Sequence, residues 1–340
     1  METAPGNVIL IDNCEEVESM EKEANWPGPE GLIPALPGDA SNASWHTRRF
    51  LDEILIEERI IGTHVADLSM KLWGREFTSP IMMPAFSHLN KAGLDHQPME
   101  EYAQAAKNLG IVNWVGMESD TDYAKIAEVG AETIRIIKPF ADHEKIREQM
   151  AFAVKHQTLA VGIDIDHSIG TDGDADVVDG EKLGTLTARD IKGFAEFAHE
   201  LGVPFIAKGV LSTRDAVLCE KAGADAIVVS HHHGRMPFAV PPAMILPDIR
   251  KVSGKMKVFA DCSVDDGRDA YKLLALGADA VSTGRAILPG LLKEGTPAVE
   301  RKIRQMNGQL RELMGYTGVA ALGSFDKTVL WYHGRPWKQS

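Results

Sequence analysis

Two short apolar segments of the chain end in polar residues that could perform chemistry together. Residues 205–207 lead into Lys208 and Gly209, and residues 227–229 lead into the run Ser-His-His-His-Gly-Arg at positions 230–235. A histidine exchanges a proton near neutral pH, and an arginine binds a carboxylate through two parallel hydrogen bonds. His232 and Arg235 are therefore candidates for a general base and an anion-binding residue, the alternative being a structural histidine in a polar loop.

Charged residues follow other apolar segments as well. Lys208 emerges from a strand-like segment, where an ammonium group has to meet an anion or change its pKa. An anionic cofactor, a Schiff base and a structural ion pair are the three options. Asp164 follows residues 159–163, and its carboxylate could orient the His232 imidazole and stabilise its charged form.

A metal site is the less favoured interpretation of these residues. Three consecutive histidines are awkwardly placed to bind one ion, and no acid or cysteine follows at a usual ligand spacing. The acidic stretch at 172–176 resembles the start of a calcium loop, but Val177 stands where glycine is needed and Leu183 where glutamate is needed. We therefore expect a solvated acidic loop and no metal.

The elements that must position these residues are eight apolar segments with helical patterns between them. Short apolar segments separated by helices are typical of buried parallel strands. Eight such units predict an α/β fold, a (β/α)8 TIM barrel in which the carboxyl ends of all strands meet at one mouth. An open doubly wound sheet is the alternative, but residues 84–87 lack its glycine-rich loop. The predicted strands are Ile81–Pro84, Ile111–Gly116, Thr133–Ile137, Leu159–Ile163, Pro204–Ala207, Ala226–Ser230, Met256–Ala260 and Ala280–Thr283.

The predicted barrel has an N-terminal extension and a C-terminal helical tail. Residues 1–79 are expected to form an arm and a barrel cap, with helices near 15–24 and 47–58. Residues 80–296 are expected to form the barrel with the cofactor and active site, and residues 297–340 a helix and tail of the same domain. One barrel helix is predicted to start at Thr187, because its hydroxyl and the Asp190 carboxylate can cap it reciprocally.

Composition limits the class of protein. The 340 residues carry a formal net charge of −13, which argues against nucleic acid as a partner. The cysteines Cys14, Cys219 and Cys262 are far apart and odd in number, so we expect a reducing, cytoplasmic location without a disulfide framework. No stretch of about 18 apolar residues predicts a membrane span, and the acidic N-terminus does not resemble a signal peptide.

These motifs resemble the FMN-dependent α-hydroxy acid oxidase and dehydrogenase family, which includes glycolate oxidase and lactate oxidase. The family has a lysine–glycine strand end followed further along by S-N-H-G-(G/A)-R, to which Lys208-Gly209 and residues 230–235 are similar. Its D-G-G-V-R-R-G is loosely similar to residues 261–267, and its closing I-G-R to residues 283–285. The similarity covers residues 45–325 and is strongest from 204 to 290.

The resemblance implies a barrel that carries FMN across its mouth and oxidises a 2-hydroxy acid to a 2-oxo acid. His232 would take the substrate proton with the support of Asp164, and Arg235 would bind the substrate carboxylate. Lys208 would stabilise the reduced cofactor. A homotetramer is also implied, while the electron acceptor stays open. The residues implied in FMN binding are Pro84, Ala85, Phe86, Lys208, Ser230, Asp261, Ser263, Gly284 and Arg285.

Several positions depart from the family pattern. The third-strand tyrosine of the family aligns with Ile136, and Asp265 stands where the family has an arginine in its phosphate loop, so its charge would repel phosphate. Lys138, His231 and His233 are additional polar residues, which we expect to lie near an altered substrate.

Two alternatives to 2-hydroxy acid oxidation stay open. An FMN-barrel isomerase or lyase would use the cofactor without net oxidation, and residues 87–90 faintly resemble that class. A non-catalytic barrel would have lost FMN, which Asp265 and Asp266 favour.

Overall fold

The structure, a computed structural model, describes residues 40–337. The helix predicted near residues 15–24 and most of the N-terminal arm therefore lie outside the described residues. In chain order, the strands are β1 (Leu55–Ile56), β2 (Met70–Leu72), β3 (Arg75–Phe77), β4 (Ile81–Met82), β5 (Ala85–Phe86), β6 (Asn113–Val115), β7 (Thr133–Ile137), β8 (Ala160–Asp164), β9 (Val177–Val178), β10 (Glu181–Lys182), β11 (Phe205–Val210), β12 (Ala226–Val229), β13 (Lys257–Ala260), β14 (Ala280–Ser282), β15 (Leu330–Tyr332) and β16 (Arg335–Pro336).

A nine-stranded parallel sheet forms the centre of the α/β fold, and its two ends belong to one stretch of chain. Neighbours in this sheet follow the order β4-β14-β13-β12-β11-β8-β7-β6-β5. Strand β4 pairs with β14 at one end and β5 with β6 at the other, yet only Met83 and Pro84 separate β4 from β5. This continuity is what a sheet that curves back on itself requires, and it disfavours the open doubly wound alternative.

All eight predicted strands are confirmed, with bounds that differ by a few residues. The prediction for Thr133–Ile137 matches β7 without any shift. The first predicted strand differs most, because it is divided into β4 and β5. Pro84 lies at the division, and proline has no N–H group to donate to a strand ladder.

The strands of the central sheet are mostly apolar, as expected for a sheet that is covered on both faces. Every residue of β7 and β8 is buried. On one face, the Phe259 ring packs edge-on against Trp114 at 5.9 Å and against Trp73 at 6.1 Å between ring centroids. Trp73 lies in the turn of the β2–β3 hairpin, so this hairpin covers one end of the apolar cluster.

The other face of the sheet packs against amphipathic helices. The capping box predicted at Thr187 and Asp190 is confirmed at the start of α5, which buries Ile191, Phe194 and Ala198.

Within residues 40–337, no helix has the length and apolarity needed to cross a bilayer. The helices are α1 (Ala43–Glu53), α2 (Pro98–Leu109), α3 (Asp120–Glu128), α4 (His143–Lys155), α5 (Ala188–Glu200), α6 (Thr213–Ala222), α7 (Pro242–Val252), α8 (Gly267–Ala275), α9 (Leu288–Glu294) and α10 (Thr296–Tyr316).

The described ends of the chain pack against each other. Strand β1 pairs antiparallel with β15, which in turn pairs with β16. The Phe50 ring of α1 contacts Tyr332 at 4.8 Å and Trp337 at 6.2 Å. The aromatic tail therefore covers α1, and the predicted C-terminal helix is confirmed as α10. The predicted segment boundaries at 79/80 and 296/297 stay predictions.

The central aromatic cluster generates a stability prediction. Phe259→Ala should lower the free energy of unfolding by about 3–5 kcal/mol, because it removes a fully buried ring and leaves a cavity. Urea unfolding followed by circular dichroism measures the change. Phe238→Ala is the matched control: Phe238 is 66% exposed, so its loss should change the free energy by less than about 0.5 kcal/mol. Equal effects of the two substitutions would contradict this description of the core.

Candidate active site

The carboxyl ends of neighbouring parallel strands bring the predicted site residues together. Strand β8 ends at Asp164, which lies opposite Lys208 in the ladder between β8 and β11. Lys138 follows β7, Ser230 follows β12 and Asp261 follows β13. The convergence arises because strands paired in parallel end at the same edge of the sheet.

Asp164 is held by two buried lysines. The Lys138 Nζ atom donates to Asp164 Oδ2 at 2.7 Å, and the Lys208 Nζ atom donates to Asp164 Oδ1 at 2.9 Å. Burial opposes ionisation of Asp164, but the two ammonium groups outweigh burial and hold the pKa of Asp164 well below its usual range. One proton of Lys138 is thus directed at Asp164, and the expectation that Lys138 lies near the substrate stays a prediction.

Lys208 stays protonated in this environment. Burial lowers its pKa, but the charges of Asp164, Asp261 and Asp166 outweigh burial and raise the pKa of Lys208 above its usual value. A Schiff base requires a neutral amine, so the geometry disfavours that option for Lys208. The environment of Lys208 favours a permanent positive charge at the carboxyl ends of the strands.

His232 has Asp166 as its nearest acidic partner. The distance from His232 Nδ1 to Asp166 Oδ1 is 3.1 Å, whereas that from Nδ1 to Asp164 Oδ1 is 3.9 Å. Burial raises the pKa of Asp166, but the neighbouring His232 outweighs it, so the net shift is downward. Sequence reasoning missed Asp166, although its place two residues beyond the end of β8 was a usable signal.

Arg235 forms an ion pair with Asp176, which lies in the loop after β8. Its Nη2 atom donates to Asp176 Oδ2 at 2.8 Å and to the Ile169 carbonyl at 3.1 Å. The Nε2 atom of His167 shares that Asp176 oxygen at 2.9 Å. Burial, Lys138 and Arg235 lower the pKa of His167 to about 3, so its ring is neutral at pH 7. The acidic loop expected to be solvated therefore contributes Asp176 to the site, which its sequence did not indicate.

The two histidines that flank His232 face different surroundings. His231 Nε2 lies 2.8 Å from the Thr47 hydroxyl of α1, and its Nδ1 accepts from the Gly234 N–H at 2.9 Å. With both ring nitrogens engaged, His231 is disfavoured as the substrate contact that we expected. Burial and the nearby Arg285 lower the pKa of His233 well below its usual value, so this ring is neutral.

Two strained loops border the site. His232 and His233 have φ values of 47° and 58°, and Cys262 and Ser263 have φ values of 71° and 58°. These values lie in the left-handed region that favours glycine, and such strain concentrates at functional sites. The family motif compared above has glycines at the positions of Cys262 and Ser263, so the backbone shape persists here without them.

Arg285 is the candidate phosphate-binding cation. Within residues 40–337, no carboxylate lies within 4 Å of its guanidinium group. Asp265, the residue expected to repel phosphate, is instead paired with Arg48 of α1 at 3.3 Å. Burial and the neighbouring Asp269 raise the pKa of Asp265. Arg48 was not identified from the sequence, because α1 lies far from residue 265 in the chain.

The other predicted cofactor contacts are placed as follows. Ala85 is half-buried where β5 pairs with β6, while the Phe86 ring is buried against Tyr102 at 5.8 Å. The Phe86 side chain is therefore a core residue and disfavoured as a cofactor contact. Ser230 Oγ accepts from the His232 N–H at 3.0 Å, and Asp261 Oδ1 accepts from the Cys262 thiol at 3.0 Å.

Three potential metal ligands lie close together. One ligand atom each of Asp164, Asp166 and His232 falls within 4.8 Å of the others. A cation there would compete with the ammonium groups of Lys138 and Lys208, which already occupy both oxygens of Asp164. The arrangement therefore favours a hydrogen-bonded charge cluster, and the expectation of no metal stays a prediction.

The two lysines on Asp164 generate a prediction for stability and its pH dependence. Asp164→Asn should lower the free energy of unfolding at pH 7 by about 3–5 kcal/mol, because it leaves buried ammonium groups without their anion. A depressed pKa contributes stability above the unfolded value of about 3.9 that is lost as the pH falls through the folded value. The deficit of the variant should therefore shrink below about pH 4.

Urea unfolding at pH 7 and at pH 3 measures that deficit. Asp248→Asn is the matched control, because Asp248 is 62% exposed and pairs with Lys251 at the surface. Its effect should stay below about 1 kcal/mol. A deficit for Asp164→Asn no larger than that of the control would refute the role of Asp164 as the buried anion that stabilises Lys138 and Lys208.

Comparisons with known proteins identify relatives of this chain. Among curated relatives, L-lactate oxidase of Lactobacillus jensenii is 39% identical over 140 residues, which is 41% of this chain and 33% of that protein. 2-Hydroxyacid oxidase 1 of Mus musculus is 26% identical over 302 residues, covering 78% of this chain and 81% of that protein. The match to the first of these relatives thus spans about one third of its length.

Solved structures show the same fold. Mandelate oxidase has a TM-score of 0.77 at 21% identity, covering 93% of this chain and 97% of that chain. Mandelate oxidase with benzoyl-formic acid also has a TM-score of 0.77, at 22% identity. The sequence pattern of the family described as FMN-dependent dehydrogenase matches residues 38–191 and 182–332. Because these two ranges span most of the 340 residues, the chain belongs to the FMN-dependent dehydrogenase family.

Proposed function

We propose that this protein is an FMN-dependent oxidoreductase that oxidises a 2-hydroxy acid to a 2-oxo acid. The observation that carries the proposal is the convergence of His232, Arg235 and Lys208 at one edge of the sheet. A proton acceptor, a carboxylate-binding group and a fixed positive charge are the three groups this reaction requires of side chains. Family membership supports the choice of cofactor.

We also propose that the sheet is a closed (β/α)8 barrel formed by residues 80–296. Residues 1–79 would form its arm and cap, and residues 297–340 its C-terminal helix and tail. The shared chain segment of β4 and β5 supports closure, since one short stretch pairs with both neighbouring strands. A closed barrel would place every strand end around one mouth.

The charged residues at this mouth fit a phosphate-bearing flavin. Arg285 with Gly284 would hold the phosphate, because no carboxylate of the described residues lies within 4 Å of the Arg285 guanidinium group. The pairing of Asp265 with Arg48 supplies a positive charge that opposes the repulsion that the sequence suggested. The other proposed FMN contacts are Pro84, Ala85, Lys208, Ser230, Asp261 and Ser263.

The proposed chemistry assigns one task to each side chain. The substrate hydroxyl loses its proton to His232 Nε2, while the α-carbon loses a hydride equivalent and the C–O bond becomes a carbonyl. FMN, when bound, supplies the two-electron acceptor that protein side chains lack. Lys208 would contribute a fixed positive charge beside the cofactor. Arg235 would hold the substrate carboxylate so that its α-carbon and hydroxyl are oriented.

The polar residues around Arg235 would shape substrate choice. Asp176 occupies only the Nη2 atom of Arg235, so the other N–H groups of the guanidinium remain for a substrate carboxylate. Lys138 and the neutral His233 are the proposed further contacts.

The assembly and location of the protein are part of the proposal. We propose a homotetramer in the cytoplasm that passes electrons to an acceptor not yet assigned. The burial of Cys219 and Cys262 as free thiols supports a reducing location.

The first experiment uses the absorption spectrum and its change with substrate. Purified protein should be yellow and should bleach anaerobically with members of a 2-hydroxy acid panel. His232→Ala should stay yellow but be reduced about 10²–10⁴-fold more slowly, because the proton acceptor is lost. His333→Ala is the control, since His333 is 71% exposed, and it should bleach at the wild-type rate.

Other outcomes of this experiment separate the alternatives. Normal bleaching of His232→Ala would refute the base assignment. Yellow protein that isomerises a substrate without net oxidation would indicate the isomerase or lyase class. A colourless protein that releases no flavin on denaturation would support a non-catalytic barrel.

Arg235 provides a separate prediction about substrate binding. Arg235→Leu should raise the KM for the 2-hydroxy acid about 10–100-fold, because a charged hydrogen bond to the carboxylate is lost. Steady-state kinetics with the best substrate of the panel measure the change. Arg304→Leu removes an arginine that is 64% exposed and should leave KM unchanged. An unchanged KM in Arg235→Leu would exclude Arg235 as the carboxylate-binding residue.

A further inference from the structure

We propose that Asp166, rather than Asp164, is the positioning residue for His232. The inference rests on the proposed function, in which His232 is the proton acceptor. It assigns the two acids at the end of β8 to different tasks. Asp164 binds the two lysines, and Asp166 orients the imidazole.

The distances support this division between the two acids. Asp166 Oδ1 lies within hydrogen-bond distance of His232 Nδ1, at 3.1 Å, while the nearest Asp164 oxygen lies at 3.9 Å. Both Asp164 oxygens also accept from lysines, at 2.7 Å and 2.9 Å. The lysines therefore keep Asp164 from turning towards His232.

Gly209 provides the space that Asp166 occupies. Its φ is +93°, and a Cβ built on it would lie 2.7 Å from the Asp166 Cβ and closer still to the carboxylate. Any larger residue at position 209 would displace Asp166 from its place beside His232. The position after Lys208 therefore requires glycine in this chain, because a side chain there would overlap with Asp166.

The hydrogen bond from Nδ1 determines which nitrogen of His232 acts as the base. An Nδ1–H that donates to Asp166 leaves Nε2 unprotonated and ready to accept the substrate proton. The carboxylate also stabilises the imidazolium that forms. The other titratable or charged groups around His232 are Asp164, His167, Lys208, His231 and His233.

The test compares two variants with opposite expectations. Asp166→Asn should reduce flavin about 10²-fold more slowly at saturating substrate, because the imidazole loses the carboxylate that orients it. The control is the double variant Asp164→Asn/Lys138→Met, which removes one charge of each sign and keeps the local net charge. Its maximal rate should fall less than that of Asp166→Asn, although its KM is free to change. Stopped-flow reduction over a range of substrate concentrations measures both.

A second readout requires no turnover. Nitrogen-15 histidine spectra of the flavin-loaded protein report which ring nitrogen of His232 is protonated, and the Nδ1–H form should persist in the double variant but not in Asp166→Asn. Gly209→Ala should reproduce the Asp166→Asn spectrum by crowding Asp166 out, which tests the contact even if one variant fails to fold. An unchanged His232 signal in Asp166→Asn, or its loss in the double variant, would overturn the inference. Wild-type protein that no 2-hydroxy acid bleaches would overturn the proposed function instead.

Discussion

Two ammonium groups share one buried carboxylate where strands β7, β8 and β11 end. Lys138, Lys208 and Asp164 are each at most 7% exposed. Removing any one of them would leave a buried charge without its partner, which would destabilise the folded protein. The trio carries one net positive charge, which the protein keeps at a point surrounded by apolar strands. The other charged residues at the carboxyl ends of the strands lie around that fixed positive charge.

The neighbouring cations pair with other acids. His232 pairs with Asp166 and Arg235 pairs with Asp176, while both oxygens of Asp164 accept from lysines. Both acids come from the segment that follows β8, so this one segment supplies the counter-charges for the two cationic residues that follow β12. Arg285, which follows β14, has no carboxylate within 4 Å in the described part of the chain, which supports its assignment to an anionic phosphate.

Sequence patterns predicted the strands well, because strands that are buried on both faces are continuous runs of apolar residues. They also predicted His232, Arg235 and Lys208 as site residues, since polar residues directly after buried strands are conspicuous. They did not predict the partners. Asp176 and Arg48 lie in a loop and a helix distant in sequence from the residues that they bind, and no local pattern marks such a pair.

The chain by itself therefore determined the α/β class, the strand positions, the family and the types of reactive side chain. These depend on local periodicity and on short motifs, which are properties of neighbouring residues. Only the tertiary structure decided that Asp164 holds lysines, that Asp166 faces His232 and that Asp265 is paired with Arg48. Each of those contacts depends on angstrom-scale distances between separate elements, and a hydrogen bond or ion pair is decided at that scale.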